Sequence, residues 1–208
     1  MSAPLRRSPT TRMQAALGAT FETDAGWELP ADFGDEAAER ALIREALAII
    51  DVTARGKVDV RGSLDDALTV AGDALAARMS DEWALVLAEP GGEEVLLPKM
   101  GSAVGAAAMV TDATHLFAGV ALAGPAWPEA LSLLTSWDPG SLDPGGSCGA
   151  PIAGVRAVLV RRDLEVPVLE AYVATEFARY VWETVLDAVR RVGGGPAGWR
   201  ALRAQGWS

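Results

Sequence analysis

Few residues in this chain have side chains suited to chemistry, and their spacing limits what they can do. There is one cysteine, Cys148, and one histidine, His115. A nucleophilic cysteine normally borrows a base, most often histidine. Cys148 lies in the glycine-rich loop 145–149, and His115 begins an apolar, strand-like run. A plain thiol and a packed histidine are the favoured readings. One cysteine excludes an internal disulfide, and a zinc site needs three or four His or Cys ligands, so no metal is expected. Asp65-Asp66 stands where a helix begins, a place carboxylates occupy for the helix dipole alone. Asp163 and Glu165 are two apart and share one side if that segment is extended. Buried together they would shift each other's pKa; solvation at a strand entrance is the plainer alternative. The glycine clusters at 145–149 and 193–195 lack a Gly-Lys-Ser/Thr ending and do not join a strand to a helix, so they read as turns or caps. Trp27, Trp127, Trp137 and Trp199 fall near turns or helix starts. There they either build a stacking wall for a flat heterocycle or a partner, or pin loops to the core.

Composition narrows the classes further. The chain has 208 residues, half of them hydrophobic and 22% charged, the balance of an ordinary globular protein. Lys and Arg number 18 against 28 Asp and Glu, a formal charge of −10. No concentrated basic surface is advertised, which argues against nucleic acid as a partner. The apolar run at 101–110 is too short and too rich in Ala and Gly to span a bilayer. The basic N-terminal residues are followed by no apolar core, so a cytoplasmic location is expected.

The elements that must position these residues follow from periodicity. Residues 1–12 read as a flexible arm and 13–208 as a single domain. An amphipathic helix is predicted over 35–50, with Asp35 at its cap. A strand over 57–62 is followed by a helix over 64–78 with Ser63 as cap. A strand at 83–87 and a returning strand at 94–97, ended by Pro98, make a hairpin. Asp51-Val52-Thr53 and Asp112-Ala113-Thr114 each lead into an alternating strand, a glycine and a helix, an imperfect internal repeat about 60 residues apart. A helix at 127–135, a loop at 136–149, and strands at 153–161 and 166–173 come next. Pro167 favours an edge position or a bulge. A helix over 176–192, with a stripe of Phe177, Val181, Val185 and Val189, stops at Gly193. One or two helical turns at 197–205 close the pattern. The class is α+β, with antiparallel or mixed sheets carrying helices on one face.

A family resemblance runs through these elements. Gly18-Ala19-Thr20-Phe21, Ala25-Gly26-Trp27-Glu28-Leu29-Pro30 and Phe33-Gly34 resemble the opening of glycine-cleavage T-proteins, the aminomethyltransferases. Asp51-Val52-Thr53 and Gly56-Lys57-Val58 through Gly62 are similar to that family's next segments. So are Glu170-Ala171-Tyr172-Val173 and Pro196-Ala197-Gly198-Trp199-Arg200-Ala201 to its later strand and the stretch after its last helix. The middle departs. The family carries consecutive glycines and a catalytic Asp after the strand resembled by 83–87. Here Gly91-Gly92 is followed by Glu93-Glu94 with no counterpart of that Asp. Arg162-Asp163-Leu164-Glu165-Val166 replaces the family's Gly-Tyr-Thr-Gly-Glu, and its C-terminal barrel domain is missing. Asp81 through Val86 and Pro144-Gly145-Gly146-Ser147-Cys148 are similar to the gamma subunit of heterotetrameric sarcosine oxidase, and the strand ending in Gly124-Pro125 and Tyr180-Val181-Trp182 resemble both families.

The gamma-subunit resemblance implies a small subunit of a folate-linked, amine-demethylating complex in one-carbon metabolism. Catalysis would then reside in a larger flavoprotein oxidase subunit, with this chain supporting assembly. The T-protein resemblance implies a stand-alone aminomethyl or methyl transferase using tetrahydrofolate. Glu170 would accept hydrogen bonds from the pterin and Arg200 would pair with a carboxylate. Asp163 or Glu165 would have to act as general acid.

Overall fold

The computed structural model describes residues 4–72 and 74–207. The chain opens with β1 (Arg6–Arg7), α1 (Thr11–Ala16), β2 (Thr20–Asp24) and β3 (Trp27–Asp32), whose strands form a small sheet in the order β1-β3-β2. Residues 6–12 are therefore not a loose arm. Arg6–Arg7 pairs with Trp27 and Glu28, and Ser8 and Thr10 are buried against Asp51. The first three residues of the expected arm lie outside the described residues.

α2 (Glu36–Glu45) starts as read, with the Asp35 side chain accepting from Ala38 N at 3.0 Å. It stops earlier than predicted, because Ala48–Asp51 is a strand, β4. The chain then continues through β5 (Gly56–Gly62), α3 (Asp65–Ala71), β6 (Leu75–Ser80), β7 (Trp83–Ala88) and α4 (Glu93–Val104). The helix predicted over 64–78 thus ends at Ala71, and its second half is a strand; its residue 73 lies outside the described residues. Ser63 makes no side-chain cap; Leu64 occupies the cap position. The predicted return strand 94–97 is helical. Pro98 sits inside α4, and Gly91-Gly92 opens this helix rather than a hairpin.

The second half repeats the order with one strand more: β8 (Ala108–Asp112), β9 (Phe117–Ala123), α5 (Trp127–Ser132), β10 (Ser147–Ile152), β11 (Val155–Asp163), β12 (Pro167–Ala174) and α6 (Ala178–Arg191). β13 (Gly195–Pro196) and α7 (Trp199–Arg203) follow. β12 is an interior strand, between β11 and β9, so Pro167 marks no edge; it takes the first position, where a strand tolerates proline. Cys148 is in β10, half-buried and pushed above its usual pKa by burial.

Two larger sheets carry the architecture, one in the order β6-β7-β5-β8 and one in the order β10-β11-β12-β9-β4-β13. Each has helices on one face. Val58, Val60, Ala84 and Val86 pack with Leu64, Ala67 and Met100 of the α3–α4 layer. Leu122, Leu169 and Val173 pack with Trp127, Val181, Trp182 and Val185 of the α5–α6 layer. The other faces meet in a third core that includes Ile50, Leu85, Leu87, Val160, Val168 and Tyr172, with Trp199, Leu202 and Trp207 from the chain's last segment. Everything polar in the candidate site is embedded in this third layer.

Candidate functional site

The internal repeat is a physical device. In the first copy Thr53 N donates to Asp51 Oδ1 at 2.8 Å; in the second Thr114 N donates to Asp112 Oδ1 at 2.8 Å. Each threonine hydroxyl then accepts from a backbone N–H of the other copy: Gly119 N to Thr53 Oγ1 and Lys57 N to Thr114 Oγ1, both at 3.1 Å. Val52 N donates to Gly119 O, and Ala113 N to Lys57 O. β4 and β9 pair antiparallel, as do β5 and β8. The two turns thus cross and lock each other, so each half lends one strand to the other half's sheet.

Lys57 and Gly119 occupy equivalent places in this crossing but carry opposite side chains. The Lys57 side chain is fully buried, and its Nζ donates to the carbonyls of Thr53 and Arg55 at 2.8 Å and of Thr114 at 3.3 Å. Burial pushes its pKa down to about 7, against the pull of nearby Asp51. A Cβ on Gly119 would stand 2.7 Å from the Tyr172 ring, so the glycine makes room for that ring.

Tyr172 leads to a heavily bonded buried carboxylate. Glu170 and Tyr172 lie two apart on β12 and face the same side. Glu170 is 0% exposed. Its Oε1 accepts from Arg55 at 2.9 Å, Trp207 Nε1 at 2.8 Å and Arg162 at 3.2 Å. Its Oε2 accepts from Arg55 at 3.0 Å and from the Tyr172 hydroxyl. Burial alone would raise this carboxyl. Arg55 above all, then the Tyr172 bond, Arg162 and the Trp207 bond, hold it below the usual range. Burial and Glu170 together push the Tyr172 hydroxyl well above its ordinary value. The Arg55 and Arg162 guanidiniums both stand over the Trp207 ring, at 4.8 and 5.8 Å from its centroid, and Trp199 meets that ring edge-on at 4.9 Å.

Two clefts flank this network. One, of about 370 Å³, is lined by Arg55, Leu75, Leu87, Glu89, Leu96 and Arg162. Burial raises the Glu89 carboxyl there, although Arg55 pulls it down, and its Oε1 is buried without a hydrogen bond. The other, of about 800 Å³, is walled by Met79, Trp83, Phe117, Tyr172 and Phe177.

The sequence-derived candidates do not converge. Glu170 is in the core. Arg200 is on the surface, paired with Glu22 at 2.9 Å and Asp32 at 3.2 Å. Asp163 ends β11 and pairs with Arg161; Glu165 lies in the turn before β12; both are exposed. They share no strand face and no buried site. His115 is exposed and stacks on Trp27 at 5.4 Å, apart from Cys148 in β10. Among the described residues no group of three His, Cys, Asp or Glu side chains is placed to hold a metal, and no helix is long and apolar enough to cross a membrane. Arg55, Arg162, Tyr172 and Trp207 went unnamed as site residues. Arg55 follows the first Asp-x-Thr and Tyr172 shares a face with Glu170, so two of the four carried a readable signal.

No family model matches the chain. It is 27% identical to the aminomethyltransferase of Saccharopolyspora erythraea, over 95% of this chain and 62% of that protein. It is 26% identical to the aminomethyltransferase of Streptomyces coelicolor, over 95% of this chain and 61% of that protein. The chain thus spans less than two thirds of the length of these curated relatives. Among solved structures, glycine cleavage system aminomethyltransferase T from Bartonella henselae superposes with a TM-score of 0.81 at 16% identity, over 97% of this chain and 62% of that one. A chain of the heterotetrameric sarcosine oxidase from Corynebacterium sp. U-96 superposes with a TM-score of 0.67 at 18% identity, over 91% of this chain and 97% of that one.

Proposed function

From the premise that this chain belongs to the aminomethyltransferase and sarcosine oxidase-like family, we propose that it is a small, non-catalytic subunit of a folate-linked, amine-demethylating complex in one-carbon metabolism. A larger flavoprotein oxidase subunit carries the chemistry, and this chain supports assembly. One observation carries the reading. Glu170, the residue that the resemblance sets against a pterin, has both oxygens consumed by five hydrogen bonds from four residues of its own chain. A carboxylate offers about four lone-pair positions, so none is left for a ligand. Arg200, its expected companion, sits in a separate surface network. These two residues do not fit tetrahydrofolate in the roles the resemblance gives them. The near-complete coverage of the sarcosine oxidase chain is a second support for the subunit reading.

The test is to express the tagged chain with a flavoprotein amine oxidase subunit and follow it by size-exclusion chromatography. A stable heterocomplex that carries flavin absorbance and oxidises N-methyl amines is expected. A chain that stays monomeric and transfers aminomethyl groups by itself would overturn the reading. The transferase alternative draws on the likeness to aminomethyltransferases over 95% of the chain. It requires an acid, so replacing Asp163 and Glu165 together by Asn and Gln should then abolish turnover; unchanged turnover dismisses both.

A further inference from the structure

The crossing turns make the two halves equivalent, and each half builds a cleft from equivalent parts. The smaller cleft uses Glu89 just after β7, the first turn of α4 at Leu96, Arg55 of the first turn, and Arg162 near the end of β11 in the other half. The larger uses the end of β12 at Tyr172, Phe177 just before α6, Phe117 just after the second turn, and Met79 near the end of β6 in the other half. The first, of about 370 Å³, is smaller and carries the charged Arg55, Arg162 and Glu89 in its lining. The second is open and aromatic.

We infer that this second cleft binds a planar aromatic anion, such as an aryl or heteroaryl carboxylate. Its volume of about 800 Å³ is that of a small-molecule site. Its walls are fixed in advance. Trp83 is held by a bond from its Nε1 to Asp59 at 2.8 Å and is covered on one face by Arg61 at 4.1 Å. The Tyr172 hydroxyl is spent on Glu170, and its ring, 0% exposed and packed on Gly119, closes the back of the cleft. The partly exposed Trp83 ring, held this way, loses little freedom when a flat ligand stacks on it. Arg156 is the one charged side chain in the lining, and among the described residues it makes no ion pair. A carboxylate is the group a guanidinium fork recognises, and a cationic ligand would be repelled. Phe177 in the lining is 43% exposed, a ring that favours an occupant with an apolar body. The inference does not rest on the oxidase reading.

Calorimetric titration of the purified chain with naphthoate, neutral naphthol and naphthylmethylamine tests it. Naphthoate should bind, naphthol about tenfold more weakly, and the amine not at all. R156A should bring naphthoate down to the affinity of naphthol, and F177A should weaken both. Both positions are exposed, so melting temperatures should stay close to that of the parent chain. Absence of naphthoate binding at millimolar concentration, or binding that neither variant changes, would overturn the inference. So would equal binding of anion and amine.

Discussion

The two clefts share one construction and contrasting linings. Both sit beside a crossing Asp-x-Thr turn, yet the first turn carries Arg55 and the second leads into Phe117. On the first side Arg55 reaches Glu170 across the shared core, Arg162 joins it, and Trp207 closes over the group. On the second side the corresponding space is larger, about 800 Å³ against about 370 Å³, and walled by rings. The difference teaches that the duplication fixes where a cleft forms, while a handful of side chains decides whether its lining is charged or aromatic. Gly119 and Lys57 show the same logic at the centre: one makes room for Tyr172, the other staples three carbonyls.

The largest effect should come from breaking the Glu170 network. Glu170→Ala strands Arg55 in the core without its carboxylate, and loss of one partner of a buried pair costs about 3–5 kcal/mol. Urea unfolding reads this directly; a loss near that of an average surface substitution would mean that the cluster holds nothing together. Lys57 gives a pH signature. Its pKa is lowered from 10.5 to about 7, so the unfolded chain holds this proton more tightly. The resulting cost is fully present below about 7 and disappears as pH rises to 10.5, so stability should climb across that window. The climb should be missing from Lys57→Met; parallel pH curves for the two proteins would contradict it. Gly119→Ala should destabilise by about 1–3 kcal/mol, because its methyl meets the Tyr172 ring. Thr53→Val and Thr114→Val should each cost about 1 kcal/mol, and by similar amounts, because each deletes one arm of a reciprocal lock. A large inequality would show that the two turns are not equivalent.

The duplication was legible because Asp-x-Thr writes its turn in three adjacent residues, and both copies form the same bonds. β4 was hidden because Ile49 and Ile50 continue the helical period of 35–46, while their burial against β9 makes them strand. α4 was misread because Gly91-Gly92 and Pro98 are turn signals in isolation; packing of Met100 and Val104 against the four-stranded sheet overrides them. Phe177 fitted the predicted helical stripe, but the helix begins one residue later and the ring lines the open cleft. Glu170 was found through a resemblance. Its neighbours were not, since Arg55 lies 115 residues away and Trp207 lies 37 away, and no local pattern records such a meeting.

The account turns on Glu170 being spent within its own chain, and calorimetric titration of tetrahydrofolate into the isolated protein, with Glu170→Gln as control, tests that most directly. The account predicts no binding heat for either protein. Micromolar binding that the Gln variant loses would contradict it and return the chain to the folate-dependent transferases.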